Sequence, residues 1–440
     1  MRANQVGTPT PTPPCVENGL WTPLPVPPPS GRLKAYTLRL KDVHRREARR
    51  IKAAGAMTFH MVGCTGNFND HVPQQSVARV MVAQARDPGT DGCGDPAIRR
   101  ASFLYHLGDV AYKDENTLDE ERNDQCEMYN TQFYQPYTNY KRRIFAIAGN
   151  HDGKHTHEKS TSAIDHFLLN FCSKRSGRTF DNQTDRRCAM RQPYPYWRLS
   201  TPKAYILGLY SNIANGGILD NPAAPEAQPQ YRWLVDQLAA MKRRNARREQ
   251  PRPILLAVHY PPFSGASNFA QRGDPTLGPS HAIHARALAT VLRQAFEESG
   301  QRPDAVFSAH THLYQRLTYH YADGWELPYI VAGSGGHGPV ESLWEKCGKG
   351  RAPRRRPPFD AVRPPELTLP ADEAVRLVAY NDTAFGFLRI TISGNILLGE
   401  FFTTDGNGGH VTTLTDTFRL DLAAHRLVET ATMAAPTDRN

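Results

Sequence analysis

The chain has 440 residues, of which 39% are hydrophobic, and it carries a formal net charge of +10. This length allows a large core in one α/β domain with insertions. No apolar run approaches the roughly 18 residues that a membrane span needs, so no span is expected. The N-terminus lacks the apolar segment of a signal peptide, so the sequence as written is expected to be cytoplasmic, with export or secretion left open.

The basic excess is concentrated in three runs, at residues 45–52, 242–248 and 351–356. Such runs are usually solvated helix faces or loops. An alternative is that they steer anionic ligands toward a site by long-range attraction. Nucleic-acid binding is not favoured, because no aromatic residues that could stack on bases are interleaved with the basic ones. The sequence does not define an oligomeric state.

Composition divides the chain into four parts. Residues 1–35 are expected to be disordered or extended, because nine prolines fall between positions 8 and 29. A basic connector follows at 36–56 and is predicted to be helical over Leu40 to Ala54. The folded domain is expected over 57–425, with polar insertions at 87–100, 113–130 and 153–195 and a Pro/Arg-rich loop at 348–372. Residues 426–440 form a tail.

The predicted elements of the folded domain alternate between strands and helices. A first strand ends near Val62, and a helix follows with Pro73 near its start. Apolar residues recur at helical spacing over 231–241 and 283–295, and a short apolar strand follows each helix. The other strands are predicted over 103–107, 143–148, 253–258 and 303–307, with hairpins over 196–210 and 386–402. This βαβ-like alternation favours an α/β fold.

Four of the seven cysteines suggest disulfides. Cys93 and Cys126 lie in two insertions, and Cys172 and Cys188 bracket a polar, Arg-rich loop. Each pair could form a disulfide, which would indicate an oxidising compartment. The alternative is four unpaired thiols, and the sequence leaves both possibilities open.

Residues that could bind a metal or move a proton follow four of the predicted strands. They are Asp109 and Tyr112, then Asn150, His151 and Asp152, then His259, and finally His310 and His312. The carboxyl ends of strands are where an α/β sheet binds its ligands. This mix of oxygen and imidazole ligands is typical of a site for Fe, Mn or Zn. It differs from a structural metal site, whose ligands are thiolates. His60 and His106 lie within strands and are interpreted either as core residues or as residues that contact the ligands from behind, whereas His337 is expected near the site.

In this order and setting, the motifs resemble those of the calcineurin-like metallophosphoesterases, most closely the purple acid phosphatase branch. That family's signature runs D-x-G, G-D-x-x-Y, G-N-H-(D/E), a lone His after a strand, and G-H-x-H. The chain shows Gly108-Asp109-Val110-Ala111-Tyr112, Gly149-Asn150-His151-Asp152, His259 and His310-Thr311-His312. Four motifs in order, each behind a strand, are a strong signal. The resemblance covers about Met57 to Phe402 and implies an α/β (α+β) fold, a β-sandwich of two mixed sheets flanked by helices.

The resemblance also implies two metal ions, iron with a second iron, zinc or manganese. Asp109 would bridge the ions. Tyr112 and His312 would bind the first ion, and Asn150, His259 and His310 the second. A metal-bridging hydroxide would then attack a small-molecule phosphoester, as in an acid phosphatase. His151 would protonate the leaving group, oriented or charge-tuned by Asp152.

The chain departs from the family at the first motif. Cys64 stands where the family has an Asp that binds the first metal, and Ala309 replaces a Gly. Cys64 could bind Fe or Zn as a thiolate. Alternatively, Asn67 or Asp70 could supply the ligand, or the first position could be weak or empty. Two other functions stay open. One is a phosphodiesterase or nucleotidase, because the same site chemistry serves both reactions. The other is a catalytically impaired binding protein, because Cys64 replaces the usual Asp.

Overall fold

The apolar strands of the sequence assemble into two mixed β-sheets. The eight-stranded sheet has the order β1 (Thr37–Arg39), β5 (Trp197–Ser200), β6 (Tyr205–Gly208), β7 (Ile254–Ala257), β8 (Ala305–Ser308), β10 (Glu326–Ala332), β9 (Tyr314–His320) and β11 (Ala374–Asn381). The seven-stranded sheet has the order β15 (Arg426–Val428), β14 (Thr412–Asp421), β13 (Ile396–Thr404), β12 (Gly386–Ser393), β2 (Ala56–Val62), β3 (Phe103–His106) and β4 (Arg143–Ala146).

This computed structural model describes residues 36–428, apart from a set of gaps. The gaps are 68, 87–99, 113–127, 154–162, 173–178, 180–181, 183–186, 189, 213–216, 220, 266–279, 342, 344–368, 371 and 410. Most of the predicted insertions, the proline-rich segment and the Pro/Arg-rich loop therefore lie outside the described residues. So do Cys93 and Cys126. Cys172 and Cys188 are both described and both free, so the unpaired alternative holds for them.

Helices connect and cover the sheets. They are α1 (Leu40–Val43), α2 (Arg45–Ala54), α3 (Val72–Arg86), α4 (Ala163–Phe171), α5 (Pro229–Asn245) and α6 (Ser280–Ser299). Between parallel strands, α3 links β2 to β3, α5 links β6 to β7, and α6 links β7 to β8. Proline at the first position of α5 suits a helix start, because that backbone N–H has no intrahelical partner. Among the described helices, none has the length and apolar character to cross a membrane.

The core lies between the sheets. Trp197 of the eight-stranded sheet stacks on Tyr105 of the other sheet, with ring centroids 5.9 Å apart. Tyr314 stacks on Phe401 in the same way at 3.9 Å. Every residue of β2, β3, β6, β7 and β8 is buried, as expected for strands covered on both faces. The fold class implied by the resemblance is confirmed.

The strands that precede the predicted site residues end at the same level of their sheets. In the seven-stranded sheet, Val62 pairs with His106, and His106 with Ala146. In the eight-stranded sheet, Ala257 pairs with Phe307. Because these strands are parallel, their carboxyl ends lie side by side, and the loops that follow are brought together.

Two details of the N-terminal region were not predicted. The helix expected over Leu40 to Ala54 is interrupted at His44, whose φ of −148° and ψ of 64° are not helical. Residues Thr37–Arg39 pair in parallel with β5, and Leu40 and Ile51 are fully buried. Part of the predicted connector thus belongs to the sheet and core. At the other end of the chain, β15 lies wholly within the predicted tail. The overall domain limits stay a prediction.

Candidate metal centre

The candidate site is formed where loops from both sheets meet. The backbone N–H of Cys64, after β2, donates to the carbonyl of Gly108, after β3, at 3.0 Å. In the eight-stranded sheet, the N–H of Ala309 donates to the carbonyl of His259 at 3.0 Å. Each of these bonds joins two neighbouring loops of one sheet. The predicted site residues lie on these loops.

Asp109 lies at the centre of the site. Its Oδ2 accepts a hydrogen bond from the Tyr112 hydroxyl at 3.0 Å and lies 3.2 Å from Nε2 of His259. Its Oδ1 accepts the backbone N–H of His151 at 2.9 Å. The carboxylate is 1% exposed. Since a buried charge is costly without compensation, its surroundings must supply positive charge or hydrogen bonds.

Asn150, His259 and His310 form the part of the site nearer the eight-stranded sheet. Oδ1 of Asn150 lies 3.0 Å from Nε2 of His259 and 2.9 Å from Nδ1 of His310. Nδ1 of His259 lies 2.8 Å from the carbonyl of Leu107, an acceptor, so Nδ1 must carry the proton.

This tautomer provides a test of whether a cation fits. In neutral His259, Nε2 is an unprotonated acceptor, yet it faces the carboxylate of Asp109 and the amide oxygen of Asn150. Three electron-rich atoms converge, and either an added proton or a metal cation must lie among them. A histidine whose second nitrogen donates to a backbone carbonyl is also the usual arrangement of a metal ligand. The donor set therefore fits a metal ion.

Tyr112 and His312 form the other part of the site. The Tyr112 hydroxyl lies 3.4 Å from Nε2 of His312. On the opposite side of that ring, Nδ1 of His312 lies 3.9 Å from a carboxylate oxygen of Glu341, whose backbone N–H donates to the His312 carbonyl. Burial, and then the neighbouring His337, lower the pKa of His312 to about 3. The ring is therefore neutral, which is the form that binds metals.

Cys64 directs its thiol into this site. Its Sγ accepts the backbone N–H of His310 at 3.1 Å. Sγ, a carboxylate oxygen of Asp109 and a ring nitrogen of His259 all lie within 4.8 Å of one another. Ligands about 2 Å from one ion are separated by roughly 3–4 Å, so atoms this close can hold one ion or two ions that share Asp109. Cys64 thus occupies the place that the family resemblance assigns to a ligand.

The two alternative ligands to Cys64, Asn67 and Asp70, make hydrogen bonds outside the candidate site. Oδ1 of Asn67 accepts the backbone N–H groups of Asn69 and Asp70, and its amide donates to the carbonyl of Gly336. Asp70 is exposed and accepts the N–H of Val72 at the start of α3. Both side chains shape the turn before this helix.

Backbone strain is concentrated at the site. Among the described non-glycine residues, four have positive φ, and three of them are Cys64 (52°), Asp109 (54°) and His310 (67°). The left-handed region disfavours residues with a Cβ, and such strain clusters where a function needs a particular side-chain direction. Each of the three follows a strand that ends at the site. The strain turns their side chains toward a common point.

Two glycines allow the loops to approach this closely. Gly108 has a φ of 94°, and a Cβ there would overlap the backbone of Gly149 and the ring of His259. A Cβ on Gly149 would overlap the Asp109 carboxylate. Glycine at both positions is therefore a steric requirement of the site.

The charges of the site depend on one another. Burial opposes ionisation of Asp109, but the imidazoles of His259 and His151 outweigh it and hold its pKa well below the usual range. Burial, and then the charge on Asp109, raise the pKa values of the Cys64 thiol and the Tyr112 phenol well above their usual ranges. A bound cation inverts that balance, because it stabilises thiolate and phenolate.

The two predicted catalytic residues have different surroundings. His151 is partly exposed, and its ring lies against Tyr112 with centroids 4.3 Å apart. Asp152 is buried, and its carboxylate accepts the backbone N–H groups of Gly149 at 2.9 Å and Val110 at 3.1 Å. It therefore joins the second and third motifs. Its effect on His151 stays a prediction.

Some residues of the site could not be assigned from the motifs. The hydroxyl of Tyr129 donates to Asp152 at 3.1 Å, and Gln132 holds both the N–H and the carbonyl of Tyr112 through its amide. Glu341 approaches His312. The sequence offers no signal for these three. His337, expected near the site, lies against Tyr112. His60 and His106 are fully buried, as predicted for core histidines.

Comparisons with known proteins bear on the family and the fold. The profile of the calcineurin-like phosphoesterase family matches residues 60–314. No curated protein matches the sequence. Among solved structures, the fold is similar to that of PhoD, with a TM-score of 0.50, 12% identity, and coverage of 87% of this chain and 73% of that chain. At this identity the likeness to PhoD concerns the fold alone.

Two further solved structures are more distant. GAP50, the anchor in the inner membrane complex of Plasmodium, has a TM-score of 0.44 and 13% identity, over 82% of this chain and 89% of that chain. A single mutant of Vps29 from Entamoeba histolytica has a TM-score of 0.25 and 11% identity, over 83% of this chain and 99% of that one.

Proposed function

Because the chain belongs to the calcineurin-like phosphoesterase family, we propose that it is a metal-dependent hydrolase of small-molecule phosphoesters, acting as an acid-phosphatase-like phosphomonoesterase. The observation that carries the proposal is the convergence of His259 Nε2, Asp109 Oδ2 and Asn150 Oδ1, three atoms that need positive charge among them, with Nδ1 of His259 already donating to the Leu107 carbonyl. Such a convergence favours a cation.

We assign the ligands from the two parts of the site. Asp109 contacts both parts, which supports a bridging role. Cys64, Tyr112 and His312 would hold the first ion, and Asn150, His259 and His310 the second. When bound, such ions lower the pKa of a water nucleophile and neutralise charge on the phosphoryl group. A phenolate from Tyr112 favours ferric iron at the first position, with a second iron, zinc or manganese beside it.

The partly exposed side of the site is where a substrate would enter. His151 and His312 lie on this side, and His151 is the group placed to protonate a leaving alkoxide. The backbone of His151 is fixed by the bond from its N–H to Asp109, so its ring stays close to the reacting centre. An imidazole that donates a proton to the departing oxygen completes the hydrolysis of a phosphomonoester.

Metal analysis combined with phosphatase assays tests the proposal. The purified protein should hold two ions per chain and hydrolyse p-nitrophenyl phosphate faster than bis-p-nitrophenyl phosphate. Asp109→Asn should abolish turnover and lower metal content. Asp416→Asn is a matched control. Asp416 is also a partly buried carboxylate, but it accepts hydrogen bonds from Tyr314 and Arg316 and lies outside the candidate site. It should retain both ions.

The outcomes separate the alternatives. Wild-type metal content in Asp109→Asn would remove the bridging assignment. Preference for the diester would favour a phosphodiesterase. Absence of both metal and turnover in the parent protein would favour a binding protein that resembles the enzymes, with the replacement at Cys64 as its cause.

A further inference from the structure

His337 contacts the site without belonging to any of the predicted motifs. It follows Gly335 and Gly336 after β10, at the same end of the sheet as the other site residues. Its ring is stacked on that of Tyr112, with centroids 3.3 Å apart and planes inclined by 9°. The ring of His312 packs edge-on against His337 at 4.9 Å.

Tyr112 lies between two imidazoles. Its ring is 3.3 Å from His337 and 4.3 Å from His151, whereas the two imidazoles are 6.4 Å apart. A phenol flanked in this way has little freedom to rotate. Its hydroxyl is thereby kept toward Asp109 and His312.

His337 is itself held by the first-motif loop. Its Nδ1 donates to the carbonyl of Gly66 at 2.6 Å, which leaves Nε2 as the unprotonated nitrogen of the neutral ring. Its backbone N–H donates to the carbonyl of Cys64 at 3.1 Å. The same residue therefore contacts the Cys64 loop through its backbone and Tyr112 through its ring.

From these contacts we propose that His337 is a positioning residue that fixes Tyr112 at the first metal position. The inference rests on the proposed function and adds to it a residue outside the metal ligands. Groups that orient ligands in this way typically change metal affinity 10–100-fold when they are removed. The effect is expected at the first position, because Tyr112 and His312, which are assigned to that position, both lie against the ring of His337.

Three variants separate the possible roles of the side chain. His337→Ala removes both the stack and the bond to Gly66. His337→Phe restores an aromatic face without that bond, and His337→Gln restores a donor without the stack. His320→Ala is the control, because His320 is partly exposed on β9 and pairs with Glu326. Zn²⁺ titration of the metal-free protein by calorimetry gives the affinity of each binding event, and Tyr112→Phe identifies the first.

We expect His337→Ala to weaken the binding event identified by Tyr112→Phe about 10–100-fold and to leave the other unchanged. His337→Phe should recover most of that loss, and His337→Gln should not. Unchanged affinity in His337→Ala would overturn the proposal. So would recovery by Gln alone, or equal weakening of both binding events.

A second measurement keeps this inference separate from the proposed function. Urea unfolding of the metal-free protein, with His337→Ala and Tyr112→Ala singly and together, reports whether the two rings interact. We expect the shift in urea midpoint of the double variant to differ from the sum of the shifts of the two single variants. If the parent protein binds no Zn²⁺, the proposed function fails, while the non-additivity still measures the stack. Additive midpoints would overturn the positioning role in either case.

Discussion

Replacing Cys64 by Asp should strengthen metal binding at the first position. The thiol already points at Asp109 and His259, so a carboxylate in its place would have the same partners. The backbone also suits the change, because Cys64 has a φ of 52° and Asp tolerates the left-handed region better than most residues. A carboxylate is moreover the harder ligand, which suits a ferric ion.

The size of the effect follows from the proton that a thiol must lose. The usual pKa of the thiol is 9.0, and burial followed by the charge on Asp109 raises it further. At pH 7 deprotonation therefore costs at least two pKa units, about 2.7 kcal/mol or a factor of roughly 100 in affinity. A carboxyl group in the same surroundings loses its proton far more easily, because its usual pKa is about 3.9. We expect Cys64→Asp to bind the first ion about 100-fold more tightly and to raise turnover.

The pH dependence of binding gives the more specific assay. Because the parent protein releases one more proton than the variant on binding, log K should rise with pH about one unit more steeply in the parent. Calorimetric titrations between pH 6 and 8 measure this difference, and Cys64→Ala, which lacks any donor, is the control. If Cys64→Asp loses metal while the parent holds two ions per chain, the reasoning is wrong and the thiolate is a native ligand.

Three further changes test other parts of the structure. His151→Ala should retain metal and lower turnover about 10²–10⁴-fold, with a smaller loss for nitrophenyl than for alkyl phosphates in parallel assays; equal losses would remove its role as an acid. Asp152→Ala should lower the free energy of unfolding by about 2–5 kcal/mol in urea, because the buried N–H groups of Gly149 and Val110 lose their acceptor; a loss under 1 kcal/mol would contradict that role. Arg389→Met should cost about 3–5 kcal/mol, because Glu400 would stay buried without its partner, and wild-type urea stability would contradict this.

The positions of most strands along the chain were predictable, because burial leaves a pattern of apolar residues in the sequence. The hairpin predicted over 386–402 is present, with β12 and β13 paired from Gly386 with Thr403 to Ser393 with Ile396. The hairpin predicted over 196–210 is also present. By contrast, β1 has three residues and pairs in parallel with a strand about 160 positions later. No local pattern encodes such a contact.

The assembly of the site was predictable to a similar degree. Asp109, Asn150 and His259 each follow an apolar strand, and parallel strands bring their ends together whatever the rest of the chain does. The structure places Nε2 of His259 beside both Asp109 and Asn150. Tyr129 and Glu341 approach from segments without a periodic pattern, so only the folded backbone reveals them. Asp152 was predicted to orient or charge-tune His151, whereas its bonds to two backbone N–H groups could be found only from the folded structure.

The first motif shows why a replaced ligand need not destroy a site. Left-handed backbone at Cys64, Asp109 and His310 costs on the order of 1–3 kcal/mol per residue, a large fraction of a typical domain's stability of about 5–15 kcal/mol. Hydrogen bonds sustain this strain, and one of them runs from the backbone of His310 to the thiol of Cys64. A carboxylate oxygen would accept the same bond. The thiol therefore preserves the loop geometry that presents Asp109 and His310, even where it binds a hard cation less well than a carboxylate.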